Sequence, residues 1–222
     1  MENLNLVLPE IIISLSIMFL LILGVFKKDS SNLILNFSLI ILLIIAGIIF
    51  NETINIENKL LFNENVVIDY LASFMKLITI LSALMALSIS SKYLKTFKIF
   101  KIEYPILVIC SVLGMMVMIS SNDLIIFYIG LELQSLSLYV LASFKRDDIK
   151  SSEAGLKYFV LSALSSGLLL YGCSLIYGFS GSTNFEIISN NLNSSNYALT
   201  FGIVFILVGL AFKISAVPFH MW

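Results

Sequence analysis

The sequence has few of the side chains that hold redox centres and metal ions. Its 222 residues include one histidine, His220, and two cysteines, Cys110 and Cys173, which fall inside apolar runs. Iron–sulfur clusters, zinc ions and bis-histidine haems need several cysteine or histidine ligands, so the chain offers no credible site of these kinds. It also lacks a glycine-rich phosphate loop and a nucleotide fingerprint. We therefore expect no cofactor, no metal ion and no nucleic-acid partner for this chain.

Charged residues are also scarce, at 12% of the chain against 59% hydrophobic residues. Soluble domains carry about 25% charged residues. Apolar runs able to cross the roughly 30 Å hydrocarbon core of a bilayer recur along the whole chain. The sequence therefore predicts an all-α, polytopic transmembrane helical bundle. The seven predicted spans are Leu6–Phe26, Leu33–Phe50, Ile68–Ser90, Tyr104–Ser120, Leu124–Phe144, Ala154–Gly178 and Tyr197 to the C-terminus.

Basic residues are distributed unevenly between alternate connecting loops. Nine of the 13 lie in loops of one side, one lies in the loops of the other side, and three fall within predicted spans. Because positive residues accumulate in cytoplasmic loops, we expect the N-terminus to lie outside. The nine residues assigned to the cytoplasmic side are Lys27, Lys28, Lys92, Lys95, Lys98, Lys101, Lys145, Arg146 and Lys150.

A glutamate and a lysine lie deep in predicted spans. Glu132 is near the middle of the fifth span, where helical spacing places Tyr128, Ser135 and Tyr139 on its face. Lys213 has apolar residues on both sides in the seventh span. An ionisable group inside a bilayer is costly and commonly marks an ion or proton pathway. We favour proton handling for both residues, and a structural ion pair between them is the alternative.

The seventh span is predicted to kink or break near its end. Pro218 follows Lys213 by five residues, removes a backbone donor and clashes with the carbonyl of Ile214. A broken membrane helix is tolerated only against protein or a water-filled cavity. Gly202 and Gly209 share the face of Lys213, so a neighbouring helix is expected to approach closely there.

For three further ionisable groups, the sequence allows two roles each. Lys157 lies only a few residues inside the sixth span, where it could snorkel to water or pair with Glu153. Lys76 shares a face of the third span with Asp69, and structural pairing of these two is the favoured interpretation. His220 is either a packing residue or a proton relay beside the helix break.

Buried lysine and glutamate together provide a switchable proton store. Burial disfavours the charged forms of both residues, so each can take up or release a proton near neutral pH. When two such groups lie close together, their titrations are coupled. A third charge, or separation of the pair, then changes how tightly each group holds its proton.

Four segments of the sequence carry a resemblance to a known family. They are ELQSLSLYVLA at 132–142, EAGLKYFVLSALSSGLLLYG at 153–172, LPEI at 8–11 and FKISAVPFHMW at 212–222. In these segments the sequence resembles the antiporter-like membrane subunits of bacterial proton-pumping NADH:quinone oxidoreductase, complex I, and specifically the N type. The resemblance therefore extends along the chain.

The resemblance implies a fold and a set of functional residues. Members of the family have roughly fourteen helices in which two inverted five-helix repeats each contain a broken helix, a common transporter design. Carried over by position, the key glutamate of the fifth helix is Glu132, the sixth-helix lysine is Lys157, and the lysine of the broken seventh helix is Lys213. The break is then expected at Pro218, with His220 close to the polar axis of the membrane arm.

The chain ends at Trp222, shortly after the expected break. We therefore expect the first half of an inverted-repeat antiporter-like fold, either as a fragment of a longer product or as a truncated protein. Residues 1–103 would form N-terminal helices one to three, and residues 104–222 an incomplete first repeat.

The function implied by the resemblance is proton translocation in a bacterial inner membrane. Partner subunits of complex I would oxidise NADH and reduce quinone, and they would hold the FMN and iron–sulfur clusters. The expected partners are those membrane subunits and the lipid bilayer. Two alternatives stay open, namely a subunit of a multi-subunit sodium/proton antiporter and a structural or assembly subunit of the membrane arm.

Overall fold

A computed structural model describes residues 6–27, 31–54, 58–97, 99–191 and 197–219. Within these residues the chain forms eight helices and one short β-hairpin. In chain order they are α1 (Leu8–Phe26), α2 (Ser31–Ile54), β1 (Lys59–Leu61), β2 (Val66–Ile68), α3 (Tyr70–Thr96), α4 (Glu103–Ile119), α5 (Leu124–Ala142), α6 (Ile149–Ser180), α7 (Phe185–Asn191) and α8 (Tyr197–Lys213).

Seven of these helices correspond to the seven predicted spans. By length and composition, α1, α2, α3, α5 and α6 are each able to cross a membrane, while α4 and α8 are apolar but shorter. Large apolar side chains on their outer faces are exposed, as on α1, where Leu15 is 64% and Met18 is 63% exposed. A lipid-facing surface has this character, and the predicted helical membrane bundle is confirmed.

Capping aspartates define where three of the helices begin. The carboxylate of Asp69 accepts a hydrogen bond from the backbone N–H of Ala72 at 2.6 Å at the start of α3. Asp123 and Asp148 cap α5 and α6 in the same way. At the other end of α6, Gly181 adopts a left-handed conformation with φ of 74°, which suits glycine and ends the helix.

The connections differ from the prediction in two places. Residues 59–68 form an antiparallel hairpin, so the third helix begins at Tyr70 and not at Ile68, which lies in β2. The predicted polar loop after the sixth span contains the short helix α7. Both elements are too short to leave a clear periodic pattern in the sequence.

The hairpin helps to position α5. The N–H of Val67 donates to the carbonyl of Ser120 at 2.9 Å, and the N–H of Asn122 donates to the carbonyl of Asn65 at 2.8 Å. On the other side, the N–H of Leu124 donates to the carbonyl of Thr183 at 2.9 Å. The first residues of α5 are therefore held by two neighbouring loops.

Two apolar cores lie side by side along the bundle. The first is formed by α1, α2, α3 and α4, with side chains such as Leu20, Leu42 and Ile109 fully buried. The second is formed mainly by α5, α6 and α7, with partly buried residues of α8 packed against it. Because α4 packs against both α1 and α5, it joins the two cores. The predicted domain boundary at residue 103 stays a prediction.

Helices α6 and α8 pack very closely. A Cβ atom added at Gly202 would lie 2.9 Å from Cγ1 of Ile176, and one added at Gly209 would lie 2.7 Å from Cβ of Leu169. The glycine face predicted on the seventh span therefore contacts α6. Since Lys213 is on the same face, this packing brings its side chain towards the interior.

The predicted break in the seventh span is present. The helix α8 ends at Lys213, and turns follow in residues 214–219. Ser215 has a positive φ of 54°, and the Val217–Pro218 peptide bond is cis. The helix thus ends five residues before Pro218, and Lys213 is its last residue.

Candidate functional site

The two deep charges predicted from the sequence meet in the second half of the bundle. Nζ of Lys213 lies 3.4 Å from Oε1 of Glu132. The Lys213 side chain is 10% exposed and that of Glu132 is 23% exposed. The pair is therefore largely removed from water, although the residues are 81 positions apart in the chain.

Lys213 has two further partners, and both lie on α5. Its ammonium donates to Oγ of Ser135 at 3.0 Å and to the hydroxyl of Tyr139 at 3.0 Å. A lysine ammonium has three donors, and Glu132, Ser135 and Tyr139 provide three acceptors. Three of the four residues of the polar stripe predicted on the fifth span thus surround Lys213, while the fourth, Tyr128, packs against the second core.

The end of α8 adds a favourable field for the ammonium. The last carbonyl groups of a helix carry partial negative charge, which stabilises a cation in the final turn. Lys213 is the basic residue of that turn. The helix break therefore places the charge of Lys213 at a terminus that favours it.

Helix α6 contributes two serines to the site. Oγ of Ser166 donates a short hydrogen bond to Oε1 of Glu132. The hydroxyl of Tyr139 donates to Oγ of Ser162 at 2.5 Å. A hydrogen-bonded chain therefore runs from Lys213 through Tyr139 to Ser162, and a second connection joins Glu132 to the same helix.

Sequence reasoning did not single out these two serines as site residues. Ser162 and Ser166 are four positions apart and so share one face of α6. That spacing was available in the sequence, but it does not reveal that this face meets α5. Only the packing of α6 against both α5 and α8 shows it.

Aromatic rings fix the orientation of Tyr139. Its ring packs edge-on against Tyr158 at a centroid distance of 4.8 Å and against Phe159 at 5.7 Å. Such contacts contribute roughly 0.5–1.5 kcal/mol each beyond area burial. The hydroxyl of Tyr139 is thereby held between Lys213 and Ser162.

A cleft opens beside Tyr139 at the end where α5 finishes and α6 begins. Its volume is about 590 Å³, and its lining includes Tyr139, Ser143, Arg146 and Phe159. The predicted topology places this end on the cytoplasmic side. Water in the cleft could reach Tyr139 and thus the hydrogen-bonded chain behind it.

The remaining predicted site residues lie apart from this centre. Lys157 forms an ion pair with Glu153 at 2.5 Å, and the two side chains are 61% and 56% exposed. The structure therefore shows Lys157 on the outside of α6 and not beside Lys213. Pro218 lies beyond the end of α8, and His220 is outside the described residues.

The predicted pairing of Lys76 with Asp69 is wrong. Asp69 caps α3, while Nζ of Lys76 donates to Oε1 of Glu10 on α1 at 2.5 Å. Residues seven positions apart share a helix face, but they are about 10.5 Å apart along the axis. A partner on another helix can lie closer, and the sequence pattern did not reveal Glu10 as that partner.

Among the described residues, no group of three or more histidine, cysteine, aspartate or glutamate side chains is arranged to hold a metal ion. The two cysteines are both free thiols. The groups that meet in the site are hydroxyls, a carboxyl and an ammonium, and such groups can bind and pass protons.

The chain is similar in sequence to known proteins. Residues 121–222 match the family described as NADH:quinone oxidoreductase/Mrp antiporter, TM. The matched segment contains Glu132, Tyr139, Ser162, Ser166 and Lys213. A curated relative, NADH-quinone oxidoreductase subunit N of Pelagibacter ubique (strain HTCC1062), is 71% identical over 222 residues, which make up 100% of this chain and 47% of the relative. The chain thus spans about half the length of the curated relatives it matches.

Solved structures share the fold. A chain of respiratory complex I from Thermus thermophilus with bound aureothin matches with a TM-score of 0.80 and 25% identity, covering 96% of this chain and 45% of that chain. A chain of the Mrp complex from Dietzia sp. DQ12-45-1b matches with a TM-score of 0.79 and 21% identity, covering 99% and 42%. The antiporter-like helical bundle expected from the sequence is confirmed.

Proposed function

We propose, from the resemblance of this whole chain to subunit N of the NADH-quinone oxidoreductases, that it is part of a proton-translocating membrane subunit of complex I in a bacterial inner membrane. Partner subunits would bind NADH, FMN, iron–sulfur clusters and quinone and would carry out the redox chemistry. This chain would supply the proton-handling groups. Its neighbours would be other membrane subunits of that complex and the lipid bilayer.

The observation that carries the proposal is the environment of Lys213. The ammonium is held by a carboxylate and two hydroxyls at 3.0–3.4 Å. Its contact with Glu132 is the longest of the three. A proton can reach Lys213 through the hydroxyl of Tyr139, while Glu132 determines how strongly the positive charge is favoured.

The attraction between the charges of this pair is of the size that transport of one charge requires. Two opposite charges 3.4 Å apart interact by on the order of 5 kcal/mol at an effective dielectric constant of 20. Moving one charge against 100 mV requires about 2.3 kcal/mol. A charge arriving from a neighbouring subunit that weakens the Glu132–Lys213 interaction could therefore drive one proton step.

The proton path in this proposal begins at the cleft beside Tyr139. Water there would exchange protons with Tyr139, which lines the cleft, and Tyr139 would pass them to Lys213. The family resemblance suggests Lys157 as a delivery group, and its exposed side chain lines a second pocket of α6 together with Lys150 and Glu153. His220, which follows Pro218 by two residues in the sequence, is proposed as a proton relay.

The test removes each charge of the pair in the complete protein. Lys213→Ala and Glu132→Ala are each expected to lower proton pumping and coupled turnover with assembly intact, because the remaining group loses the partner that controls its proton. Pumping is measured in reconstituted vesicles during NADH oxidation. Lys92→Ala, which changes an exposed lysine near the end of α3, is the control and should pump normally.

Normal pumping in both variants would contradict the proposal. Sodium-dependent proton exchange without NADH oxidation would favour a sodium/proton antiporter, an alternative consistent with the shared fold of the Mrp chain. Loss of assembly in both variants, with no separate pumping defect, would favour a structural subunit.

A further inference from the structure

A second group of charged side chains lies inside the bundle, on helices that do not carry the Glu132–Lys213 pair. Glu10 is in the first turn of α1, Glu52 is near the end of α2, and Lys76 is in the second turn of α3. Glu10 is 8% exposed and Lys76 is 6% exposed. These three residues, here called the Glu10 cluster, lie at the same end of the bundle.

One oxygen of Glu10 is satisfied and the other is not. Lys76 donates to Oε1 at 2.5 Å. The second oxygen, Oε2, is inaccessible to solvent and has no hydrogen-bond partner among the described residues. A buried polar atom left without a partner costs about 1–3 kcal/mol, and more when it is charged. A fully ionised Glu10 is therefore poorly matched to its surroundings.

A second carboxyl group adds to this mismatch. Glu52 is half-buried and interacts electrostatically with both Glu10 and Lys76. With all three groups ionised, the cluster has two negative charges and one positive charge. An uncompensated charge is costly in a site with little water, and two carboxylates that share such a site retain a proton more readily than one.

Within the described residues, the neighbouring elements contain few other titratable groups; Glu64 in the hairpin turn and Tyr70 at the start of α3 are exposed. Asp69 caps α3, and Lys59 lies on β1. On α4, which packs against α1, the titratable side chains are Glu103 and Tyr104 in the first turn and Cys110 further along. That first turn is at the opposite end of α1, because Ile102 approaches Gly24 there. Lys76 is the cation in contact with Glu10 within the described structure.

We propose that the Glu10 cluster is a proton-binding site in which Glu10 and Glu52 together hold one proton beside Lys76. The bound proton makes the cluster neutral overall and removes the repulsion between the carboxylates. The proposal assigns the proton to the two glutamates together and not to either one alone. This inference does not rest on the function proposed above, because it concerns only α1, α2 and α3.

Infrared difference spectroscopy tests the proposal in the native membrane assembly that carries this chain, at pH 7. A protonated glutamate has a carbonyl stretching band that an ionised glutamate lacks. Glu10→Gln and Glu52→Gln each leave one carboxylate against one ammonium, so each variant is expected to lose the band of one protonated glutamate. Glu64→Gln changes an exposed glutamate in the hairpin turn and should leave the band unchanged.

In Lys76→Met, we expect the protonated-glutamate band to change in the opposite direction. Without the ammonium, both glutamates must be protonated for the cluster to be neutral, so the band should grow by the amount of one glutamate. If Glu10→Gln fails to assemble, the two opposite changes in Glu52→Gln and Lys76→Met decide the question. An unchanged band in Glu52→Gln would overturn the proposal, since the cluster would then be a permanent ion pair beside an ionised Glu52. A band that sodium chloride removes and choline chloride preserves would overturn it in favour of a sodium site.

Discussion

At the scale of single residues, the three-acceptor environment of Lys213 explains how a lysine can be kept inside an apolar bundle. Each donor of the ammonium has an acceptor, supplied by Glu132, Ser135 and Tyr139. Because two of the three acceptors are neutral hydroxyls, the site does not bind the charged lysine through an ion pair alone. After loss of the proton, the neutral amine keeps two N–H donors, so two of the three hydrogen bonds can remain.

Tyr139→Phe isolates the contribution of one hydroxyl. The ring contacts with Tyr158 and Phe159 can remain, while Lys213 loses an acceptor and the connection to Ser162 is broken. A hydrogen bond to a charged group contributes about 1.5–3 kcal/mol, so we expect coupled proton pumping to fall by about tenfold or more. The measurement is the initial pumping rate in vesicles at equal protein content.

A matched control for this variant is Tyr177→Phe on α6, where the side chain is 56% exposed. It removes a tyrosine hydroxyl from the same helix bundle without touching the site. Equal pumping rates for the Tyr139 variant and this control would show that the hydroxyl of Tyr139 neither carries protons nor affects how Lys213 holds its proton.

Much of this residue-level site could be predicted from the sequence, but only where one helix was concerned. The stripe of Glu132, Ser135 and Tyr139 follows from helical spacing along α5. Ser162 and Ser166 could not be predicted as partners, because their role depends on which face of α6 meets α5. The wrong pairing of Lys76 has the same origin, since its partner comes from another helix.

At the scale of helices and strands, close packing of α6 and α8 positions Lys213. The two backbones approach at Gly172, Gly202 and Gly209, where no side chain fits. Sequence spacing predicted this glycine face, because residues seven positions apart share one side of a helix. The hairpin and α7 were not predicted, because three-residue strands and a seven-residue helix are too short to show a periodic pattern of apolar residues.

Gly209→Ala should therefore destabilise the bundle although alanine is the better helix former. The added Cβ would lie 2.7 Å from Cβ of Leu169, so the two helices must separate. Overpacking of this kind typically costs about 1–3 kcal/mol, which exceeds the gain of up to about 1 kcal/mol in helix propensity. We expect a lower thermal unfolding temperature, measured on the purified assembly.

Gly178→Ala is the comparison for that measurement. A Cβ at Gly178 of α6 meets nothing within 4 Å, so only helix propensity changes and the unfolding temperature should stay the same or rise. If Gly209→Ala behaves like this control, the close approach of α6 and α8 does not contribute to stability as described.

At the scale of the whole molecule, each of the two apolar cores has its own set of buried charges. The first core carries the Glu10 cluster, and the second is adjacent to Glu132 and Lys213. The composition and the loop charges predicted the helical membrane bundle, because they depend on segment lengths and not on contacts between helices. Which buried charges meet could not be predicted in this way, because that depends on how the helices pack.

The central claim is that Lys213 carries a proton and does not act only as a fixed counter-ion to Glu132. Lys213→Arg separates these roles, since arginine keeps the positive charge but does not give up its proton in proteins. The measurement is the number of protons pumped per NADH oxidised by the complete, reconstituted assembly. The account predicts that assembly persists and that this ratio falls in the variant. A wild-type ratio would contradict it and would make Lys213 a structural counter-ion.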